Sequence, residues 1–333
     1  MIGYYIHHHG SSHLLRARRI RACLAQPVTA LSSSVSSDDE TFDDVVPLPS
    51  DSPSAAIGDP TAAGVLQWAP RHNRGLAERM ATIATWLATA RPDAVVVDAS
   101  VEVALLARLH GVPVVGMALP GARADPAHQL MYRVADRLIA GWPRDLYDPL
   151  WLRPYADKTS YVGGITRFDG RPPVFPPNDG RPTVLVVGGA CGGSFTAAKV
   201  RACALHYREY HWRIIGLGDW VDDPWPELCR ADVIVTHAGQ GAVADVAIAA
   251  KPAVVVPAPR PFGEQEATAE TLASAGMALT VDRWPDLDDW PALLARAREL
   301  DTGRWRAWQA RGAAVRAAAT IAEVAAERLR CVS

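Results

Sequence analysis

The residues whose types and spacing most clearly suggest a binding site lie between Ala231 and Ala278. A short apolar run, Val233 to Val235, is followed by the turn His237-Ala238-Gly239-Gln240-Gly241 and by a helix-like stretch that carries Asp245. A strand that ends at a helix N-terminus offers free backbone N–H groups and the helix dipole to an anion. A carboxylate in the first turns of that helix can accept hydrogen bonds from both hydroxyls of a ribose.

A second apolar run, Ala253 to Val256, precedes a proline-rich loop and the polar pair Glu264 and Gln265. A glutamine beyond the C-terminal end of a strand can hydrogen-bond a sugar. Together these residues predict contacts to phosphate, ribose and sugar, the three parts of a nucleotide-sugar. Structural explanations stand beside this one: the glycines suit a turn, and Asp245 and the Glu264–Gln265 pair suit helix N-termini.

Strand-like and helix-like stretches alternate in two series that would position these residues. In the first series strands are predicted at 2–6, 28–31, 45–48, 93–97, 113–117 and 139–142, and helices at 14–24, 76–90, 101–109 and 126–138. In the second, strands are predicted at 183–187, 212–216, 233–235 and 253–256, and helices at 195–207, 225–230, 291–300 and 304–329. This alternation predicts an α/β fold of two Rossmann-like, doubly wound parallel-sheet domains. Ligands of such sheets bind beyond the C-terminal strand ends, so we expect a site in a cleft between the domains.

Composition changes mark two connecting regions. Residues 143–182 are rich in proline, glycine, tryptophan and tyrosine, and we interpret them as the connection between a domain at 1–150 and a domain at 151–333. The last helix is expected to pack back on the first domain. Residues 32–64 are dominated by serine, aspartate and proline, which predicts a long mobile loop or poorly ordered excursion.

Bulk properties exclude several function classes. With 333 residues, 49% hydrophobic and 21% charged, the chain is globular, and its net charge of −2 gives no electrostatic case for nucleic acid as a partner. Five widely spaced cysteines favour reduced thiols, and we find neither a signal peptide nor a run of 18 apolar residues, so a cytoplasmic protein is expected. Four arginines lie on the predicted helix after the first strand, as a solvated basic face or as a surface for an anionic acceptor or lipid headgroups. They are Arg16, Arg18, Arg19 and Arg21.

Several motifs, taken in order, resemble those of MurG-type glycosyltransferases, which have the two-Rossmann-domain GT-B fold. The matching segments are HHGSSH at 8–13, YVGGITR at 161–167, GGACGG at 188–193, WVDD at 220–223, the 231–278 stretch and the EQ pair at 264–265. The sequence departs from the family pattern at Ala190 and Cys191, where the family has Ser and Gln, and at Thr268, where it has Asn. The resemblance implies an N-terminal acceptor-binding domain and a C-terminal donor-binding domain.

The resemblance also implies which residues bind the substrates. The donor nucleotide-sugar is assigned to Gly189, Gly192, Ser194, Trp220, Val221, His237, Gly239, Gln240, Gly241, Asp245, Glu264 and Gln265. Weaker acceptor or phosphate assignments fall on Gly10, Ser11, Ser12 and Arg167.

A wider likeness to small-molecule GT-B glycosyltransferases suggests which residue is the general base. The segment RPDAVVVD at 91–98, followed by ALLARLHGVP at 104–113, is similar to their strand-acid-helix unit, in which the acid orients a histidine base. His13 and Asp98 would form that pair here. From the residues alone, His13 is equally a polar loop residue, and Asp98 equally a cap of the next helix.

The implied reaction is inverting transfer of a hexose or N-acetylhexosamine from a nucleoside-diphosphate sugar, with uridine diphosphate expected, to an unidentified hydroxyl. The resemblance implies a small-molecule or lipid-linked acceptor, no cofactor and no metal, a monomer or weak dimer, and peripheral contact with the inner face of the plasma membrane. Two alternatives stay open: a nucleotide-sugar 2-epimerase, which needs further acid/base carboxylates near the anomeric centre, and a non-catalytic nucleotide-sugar-binding protein.

Overall fold

The chain is divided between two compact units. The computed structural model describes residues 1–8, 11–52, 58–174, 180–189, 195–218 and 221–331. Unit 1 comprises Met1–Gly141, Asp148–Val162 and Ala314–Ser333, and unit 2 comprises Trp142–Tyr147 and Gly163–Ala313. The domain boundary at 150/151 stays a prediction; the segment 148–162 around it groups with unit 1.

Unit 1 contains one parallel sheet. Its strands are β1 (Ile2–Ile6), β2 (Val28–Ser32), β3 (Asp44–Pro47), β4 (Ala94–Asp98), β5 (Val114–Ala118), β6 (Arg137–Ala140) and β7 (Thr159–Tyr161), paired in the order β3-β2-β1-β4-β5-β6-β7. The helices between them are α1 (Ser11–Arg21), α2 (Arg74–Ala90), α3 (Val101–Leu109) and α4 (Pro126–Val134). Every residue of β1, β2, β4 and β5 is buried, which explains why these strands are continuous apolar runs in the sequence.

Unit 2 contains the second parallel sheet. Its strands are β8 (Thr183–Val187), β9 (His211–Ile215), β10 (Val233–Thr236), β11 (Ala253–Val255) and β12 (Leu279–Thr280), in the order β12-β11-β10-β8-β9. The helices are α5 (Ala197–His206), α6 (Trp225–Arg230), α7 (Gln240–Ala249), α8 (Glu264–Ser274) and α9 (Trp290–Arg298), and the chain ends on α10 (Ala313–Cys331). The two helix-flanked parallel sheets confirm the predicted α/β class. In the part of the chain that the structure describes, no helix combines the length and apolar character needed to cross a membrane.

Strand order determines where each sheet can hold a ligand. In unit 1 the order reverses between β1 and β4, and in unit 2 it reverses between β8 and β10. At such a point the connections leave the two strands in opposite directions, which opens a crevice at the carboxyl ends. The first crevice lies at Ile6 and Asp98, which are register partners, and the second at Val187 and Thr236.

Two predicted helices end or begin elsewhere. The helix predicted at 126–138 ends at Val134, because the chain turns extended at Ala135 and residues 137–140 pair with β5 as a strand. The helix predicted at 304–329 begins at Ala313. A 3-10 segment, Thr302–Trp308, precedes it, and Gln309 ends that segment with a left-handed φ of +54°. Tertiary strand pairing and a left-handed residue thus override local helix propensity.

The excursion after β2 is not the loosely ordered loop that its composition predicts, at least as far as residue 52. It contributes the edge strand β3, which pairs with β2 over four residues from Thr29↔Asp44 to Ser32↔Pro47. Arg79 of α2 is fully buried and contacts Asp51 at 3.2 Å and Ser33 Oγ at 2.9 Å. A charged side chain therefore ties this polar segment to the core of unit 1.

Candidate functional site

A cluster of three charged or titratable side chains lies at the crevice of unit 1. His13 is on α1, which follows β1, and Asp98 is the last residue of β4. His13 Nδ1 lies 2.9 Å from Asp98 Oδ1. The side chain of Asp98 is fully buried and that of His13 is 15% exposed. Ser100, not Asp98, caps α3, so Asp98 is free of the capping role that the sequence left open.

Arg16 completes this cluster. Its Nη2 donates to Asp98 Oδ1 at 2.6 Å and to Oδ2 at 2.8 Å, and its Nε donates to Oδ2 at 3.1 Å. Burial alone would raise the pKa of Asp98, but the Arg16 guanidinium and the His13 ring together lower it well below its usual range. Asp98 is therefore ionised and accepts the Nδ1–H of His13, which leaves Nε2 as the ring atom that can take a proton.

Three of the four arginines of α1 pair with carboxylates, although the side chain of Arg18 stays 43% exposed. Arg16 is buried against Asp98, Arg18 Nη2 lies 2.7 Å from Asp39, and Arg21 Nη2 lies 2.7 Å from Asp43. The partners come from the polar segment after β2, whose acidic residues the sequence placed in a mobile loop. Sequence reasoning missed Arg16, although its spacing of three from His13 puts both on one helix face.

Other predicted residues around β1 and α1 are placed as follows. The rings of His7 and His8 stack at 4.8 Å, and the His7 ring lies 5.7 Å from that of His13. Ser11 begins α1, and Ser12 is exposed in its first turn. Gly10 lies outside the described residues.

In unit 2, the turn after β10 leads into the N-terminus of α7. Gly239 is the N-cap of α7, and no side chain caps the helix there. The first-turn N–H groups of a helix lack intrahelical acceptors, so Gln240 and Gly241 stand at an anion-attracting end. A Cβ added to Gly241 would meet no atom within 4 Å. The space beside Gly241 is therefore open, whereas a Cβ added to Gly239 would lie 2.6 Å from Cε1 of His237.

His237 has a defined state in this turn. Gly239 N–H donates to its Nδ1 at 3.0 Å, so the neutral ring carries its proton on Nε2. Burial, reinforced by the charge of Arg260, lowers the pKa of His237 to about 4. A Cβ added to Gly189, at the end of β8, would lie 2.9 Å from Nε2. Gly189 therefore gives the His237 ring room.

Asp245 lies in the second turn of α7, beyond the reach of the helix dipole that could have explained an acid in the first turn. Thr166 donates its hydroxyl to Asp245 Oδ1 at 2.6 Å, and Arg167 Nε lies 3.4 Å from Oδ2. The Asp245 side chain is 14% exposed. Burial raises the pKa of Asp245 to about 6, against the lowering effects of Arg167 and Thr166.

Asp245 and Arg167 stand on the wall of a small pocket within unit 2. Apart from these two and Thr236, its lining is apolar. The lining residues are Arg167, Val187, Ile215, Pro224, Leu228, Thr236, Ala242, Asp245 and Val246. The carboxyl ends of β8, β9 and β10 all contribute, so the pocket coincides with the crevice that the strand order creates. Arg167 also stacks on Phe168, with the guanidinium carbon 4.7 Å from the ring centre.

The side chain of Gln265 hydrogen-bonds the protein backbone. Its Oε1 accepts the backbone N–H groups of Ala238 at 3.1 Å and Ala258 at 2.9 Å, so it ties together the loops after β10 and β11. The oxygen is therefore occupied, and the amide nitrogen lies toward Gly239 as the group that a sugar could meet. Glu264 opens α8 after Phe262 and Gly263, both of which have positive φ.

The remaining predicted donor residues fall at or near undescribed segments. Val221 is partly buried ahead of α6. Gly192, Ser194 and Trp220 lie outside the described residues. In the described ranges, no group of three or more His, Cys, Asp and Glu side chains is arranged to hold a metal ion.

Part of unit 2 matches a known protein family. Residues 219–285 match the glycosyltransferase family 28 C-terminal domain. This span contains the turn after β10, Asp245 and the Glu264–Gln265 pair.

Curated relatives match parts of the chain. Two similar proteins are each named UDP-N-acetylglucosamine–N-acetylmuramyl-(pentapeptide) pyrophosphoryl-undecaprenol N-acetylglucosamine transferase. The one from Leifsonia xyli subsp. xyli (strain CTCB07) is 31% identical over 141 residues, 35% of this chain and 39% of that protein. The one from Synechococcus sp. (strain RCC307) is 30% identical over 199 residues, 53% of this chain and 54% of that protein. The chain thus spans about half or less of the length of these relatives.

Solved structures match nearly the whole chain. The glycotransferase of kitacinnamycin superposes with a TM-score of 0.69 at 18% identity, covering 97% of this chain and 98% of that one. Acinetobacter baumannii MurG gives 0.63 at 18% identity over 97% and 99%, and the calicheamicin glycosyltransferase CalG4 gives 0.67 at 18% identity over 99% and 97%. This likeness confirms the predicted two-domain, Rossmann-like GT-B fold.

Proposed function

Starting from the premise that the chain is a distant relative of the MurG-type GT-B glycosyltransferases, we propose that it transfers a sugar from a nucleoside-diphosphate sugar to a hydroxyl. The observation that carries the proposal is Asp245, a partly buried carboxylate on the pocket wall within the family-28 span. Its Oδ1 accepts the hydroxyl of Thr166, Arg167 Nε lies 3.4 Å from its Oδ2, and the backbone N–H of Arg167 is a further donor to the carboxylate. A carboxylate has about four lone-pair positions, so two vicinal ribose hydroxyls can donate to it beside these protein groups.

The donor is expected to lie along the pocket and the N-terminus of α7. The ribose contacts Asp245, and the diphosphate meets the N–H groups at Gln240 and Gly241. The His237 Nε2–H and the Gln265 amide are further donors on this side, with Glu264 at the start of α8. Negative charge that develops on the leaving diphosphate is stabilised by the helix N-terminus without reorganisation during the reaction. We take uridine diphosphate as the nucleotide and a hexose or N-acetylhexosamine as the sugar.

The base is expected in unit 1. His13 Nε2 takes the proton of the acceptor hydroxyl, whose oxygen forms the new bond to the anomeric carbon while the bond to the diphosphate breaks. The configuration inverts, and the nucleoside diphosphate leaves with both electrons of that bond. Asp98 accepts the Nδ1–H and stabilises the imidazolium that forms. A positioned base of this kind contributes about 10²–10⁴-fold.

The acceptor is a hydroxyl compound of small-molecule or lipid-linked type. The transferases that share about half of their length with this chain have a pyrophosphoryl-undecaprenol acceptor in their names, and two of the solved neighbours carry the names of natural products. A lipid-linked acceptor would bring the protein to the inner face of the plasma membrane. We expect the protein to act as a monomer or weak dimer, without a metal.

The first test is a thermal-shift screen of the protein against uridine, thymidine and guanosine diphosphate sugars. A ligand that binds the folded state raises Tm, by linkage. We expect the uridine compounds to stabilise the protein most. If no uridine compound raises Tm, the donor assignment fails.

The second test follows release of nucleoside diphosphate from the donor that binds, with and without hydroxyl acceptors. His13→Ala is expected to lower turnover by about 10²-fold or more and to keep the Tm shift, since the base does not hold the donor. His110→Ala, at an exposed histidine after α3, is the control. Donor binding without any turnover would indicate the non-catalytic alternative, and accumulation of a 2-epimer would indicate the epimerase.

A further inference from the structure

Arg16 is a buried charged residue of unit 1 to which the family resemblance assigns no role. It follows His13 by three residues on α1, so both side chains lie on one face of the helix. Only 8% of Arg16 is exposed. Arginine is rarely buried without a partner, and here the partner is a carboxylate that also serves the histidine.

The contacts show how closely the three groups are coupled. Arg16 donates to both oxygens of Asp98, and Oδ1 is shared between Arg16 Nη2 at 2.6 Å and His13 Nδ1 at 2.9 Å. Arg16 Nη2 also lies 3.2 Å from His13 Nδ1. Because both of these nitrogens bear hydrogen, the guanidinium charge stands against the edge of the imidazole that faces Asp98.

We propose that Arg16 is a positioning residue for the base. Its planar fork holds Asp98 in one orientation, so that Oδ1 points at His13 Nδ1 and Nε2 is left to accept a proton. It also offsets the charge of Asp98, so the His13 imidazolium is stabilised less than an unpaired carboxylate would stabilise it. The proposal rests on the proposed function in one respect: it takes His13 as the base.

The groups that face His13 come from three elements. Asp98 comes from β4 and Arg16 from α1, and the ring of His7 lies at the end of β1, 5.7 Å away. Tyr4 of β1 is fully buried near Asp98, and burial, with Asp98, raises its pKa, so it stays neutral. Among Asp98, Arg16 and Tyr4, loss of Arg16 would leave Asp98 as the charged group beside the ring.

The experiment compares Arg16→Gln, Arg16→Lys and Arg18→Gln by NMR of labelled histidine rings, titrated without substrate. In Arg16→Gln the charge of Asp98 is no longer offset. We expect the titration midpoint of His13, the pH at which half of its rings are protonated, to move to higher pH by about one unit or more. The acidic limb of the pH profile of kcat/KM should move in the same direction. Arg18→Gln, which changes an arginine of the same helix that pairs with Asp39, is expected to leave both unchanged.

Arg16→Lys separates position from charge. Lysine keeps the positive charge but not the planar fork, so the His13 midpoint should stay in place. We expect the ring to show mixed tautomers instead of Nδ1–H alone, and kcat to fall about tenfold with little change in KM.

An unmoved His13 midpoint in Arg16→Gln would overturn the charge role. If Arg16→Gln does not fold, Arg16→Lys decides, and a single Nδ1–H tautomer with unchanged kcat would overturn the positioning role. The NMR readout needs no turnover, so it also separates this proposal from the proposed function. A protein that transfers no sugar but shows the midpoint shift would contradict only the latter.

Discussion

Asp98, fully buried, and Asp245, partly buried, are both carboxylates beside the carboxyl-end crevice of a parallel sheet, yet their pKa values shift in opposite directions. Asp98 accepts Arg16 Nη2–H on Oδ1 at 2.6 Å and Arg16 Nε–H on Oδ2 at 3.1 Å, and its pKa falls well below the usual range. Asp245 accepts the Thr166 hydroxyl and the backbone N–H of Arg167, with Arg167 Nε 3.4 Å away, and its pKa rises to about 6.

The difference shows how the groups around a carboxylate set the direction of its pKa shift. Burial opposes ionisation at both sites, and a nearby arginine favours it at both. At Asp98 the charges of Arg16 and His13, with the hydrogen bonds that both donate, outweigh burial; at Asp245 the contacts of Arg167 and Thr166 do not. The unit 1 carboxylate is therefore satisfied by the protein itself, whereas the unit 2 carboxylate has hydrogen-bonding capacity that a ligand could use. The first suits an orienting group and the second a binding group.

The largest effect is expected from Asp98→Asn. The substitution leaves the Arg16 guanidinium buried without its anion, and breaking a buried pair in this way costs about 3–5 kcal/mol. Urea unfolding at pH 7 would measure the loss. The double variant with Arg16→Gln removes both charges and should recover much of it. A single variant within about 1 kcal/mol of the unsubstituted protein would show that the pair is not the self-satisfied unit described here.

Asp245→Asn is expected to act in the opposite direction. The folded-state pKa of about 6 lies above that of an unfolded aspartate, near 3.9, so the folded protein binds the proton more tightly. The contribution of Asp245 to stability therefore falls as pH rises from about 4 to 6, and its ionisation costs up to about 3 kcal/mol above that range. Asparagine removes the cost, so the free energy of unfolding should rise at pH 7.5 and hardly change at pH 4.

The same variant should bind the donor more weakly, because an amide cannot accept two ribose hydroxyls as a carboxylate does. Calorimetric titration with uridine diphosphate compounds and chemical denaturation at the two pH values give both readouts. His237 has a folded-state pKa of about 4, so its contribution to folding stability increases as pH rises from 4 to 6.5. This contribution is the same in the unsubstituted protein and in Asp245→Asn, so it cancels when their free energies of unfolding are compared. Asp223→Asn, at an exposed pair with Arg171, is the control. Destabilisation by Asp245→Asn at pH 7.5 would refute the contrast.

A pair of glycines should give the smallest and most diagnostic effect. Gly189→Ala places a Cβ 2.9 Å from His237 Nε2, and we expect a loss of about 1–3 kcal/mol from this overpacking. Gly241→Ala meets nothing within 4 Å and should gain about 0.5–1 kcal/mol from helix propensity. Thermal unfolding measures both.

If the open space before Gly241 is where the diphosphate lies, Gly241→Ala should also weaken nucleotide-sugar binding despite its higher Tm. Unchanged affinity for the donor would place the diphosphate elsewhere and remove the helix N-terminus from the proposed site.

The fold was predictable wherever burial alone determines it. The strands Ile2–Ile6 and Thr183–Val187 were predicted with the bounds that the structure has, because strands buried on both faces appear as uninterrupted apolar runs. The pairing of His13 with Asp98 was expected from the likeness to small-molecule GT-B glycosyltransferases, and in the structure His13 Nδ1 lies 2.9 Å from Asp98 Oδ1. Their roles as base and orienting acid stay predictions.

What could not be predicted depends on contacts between distant segments. An arginine such as Arg16 resembles any surface residue until its anion, 82 positions away, is located. Gln265 was assigned to the sugar on position, but its oxygen serves two backbone N–H groups from separate loops. The helix predicted through residue 138 ended early because β5 was available to pair with its last residues.

The return of α10 to unit 1 has a consequence for biosynthesis. Unit 1 is discontinuous: residues from 314 onward belong to it, although Gly163–Ala313 belongs to unit 2. During translation the chain of unit 2 is thus complete while unit 1 still lacks a segment. Domains fold as units as they emerge from the ribosome. Unit 1 is therefore begun first and completed last. More than 150 residues of unit 2 are synthesised between the sheet that carries Asp98 and the last helix of unit 1.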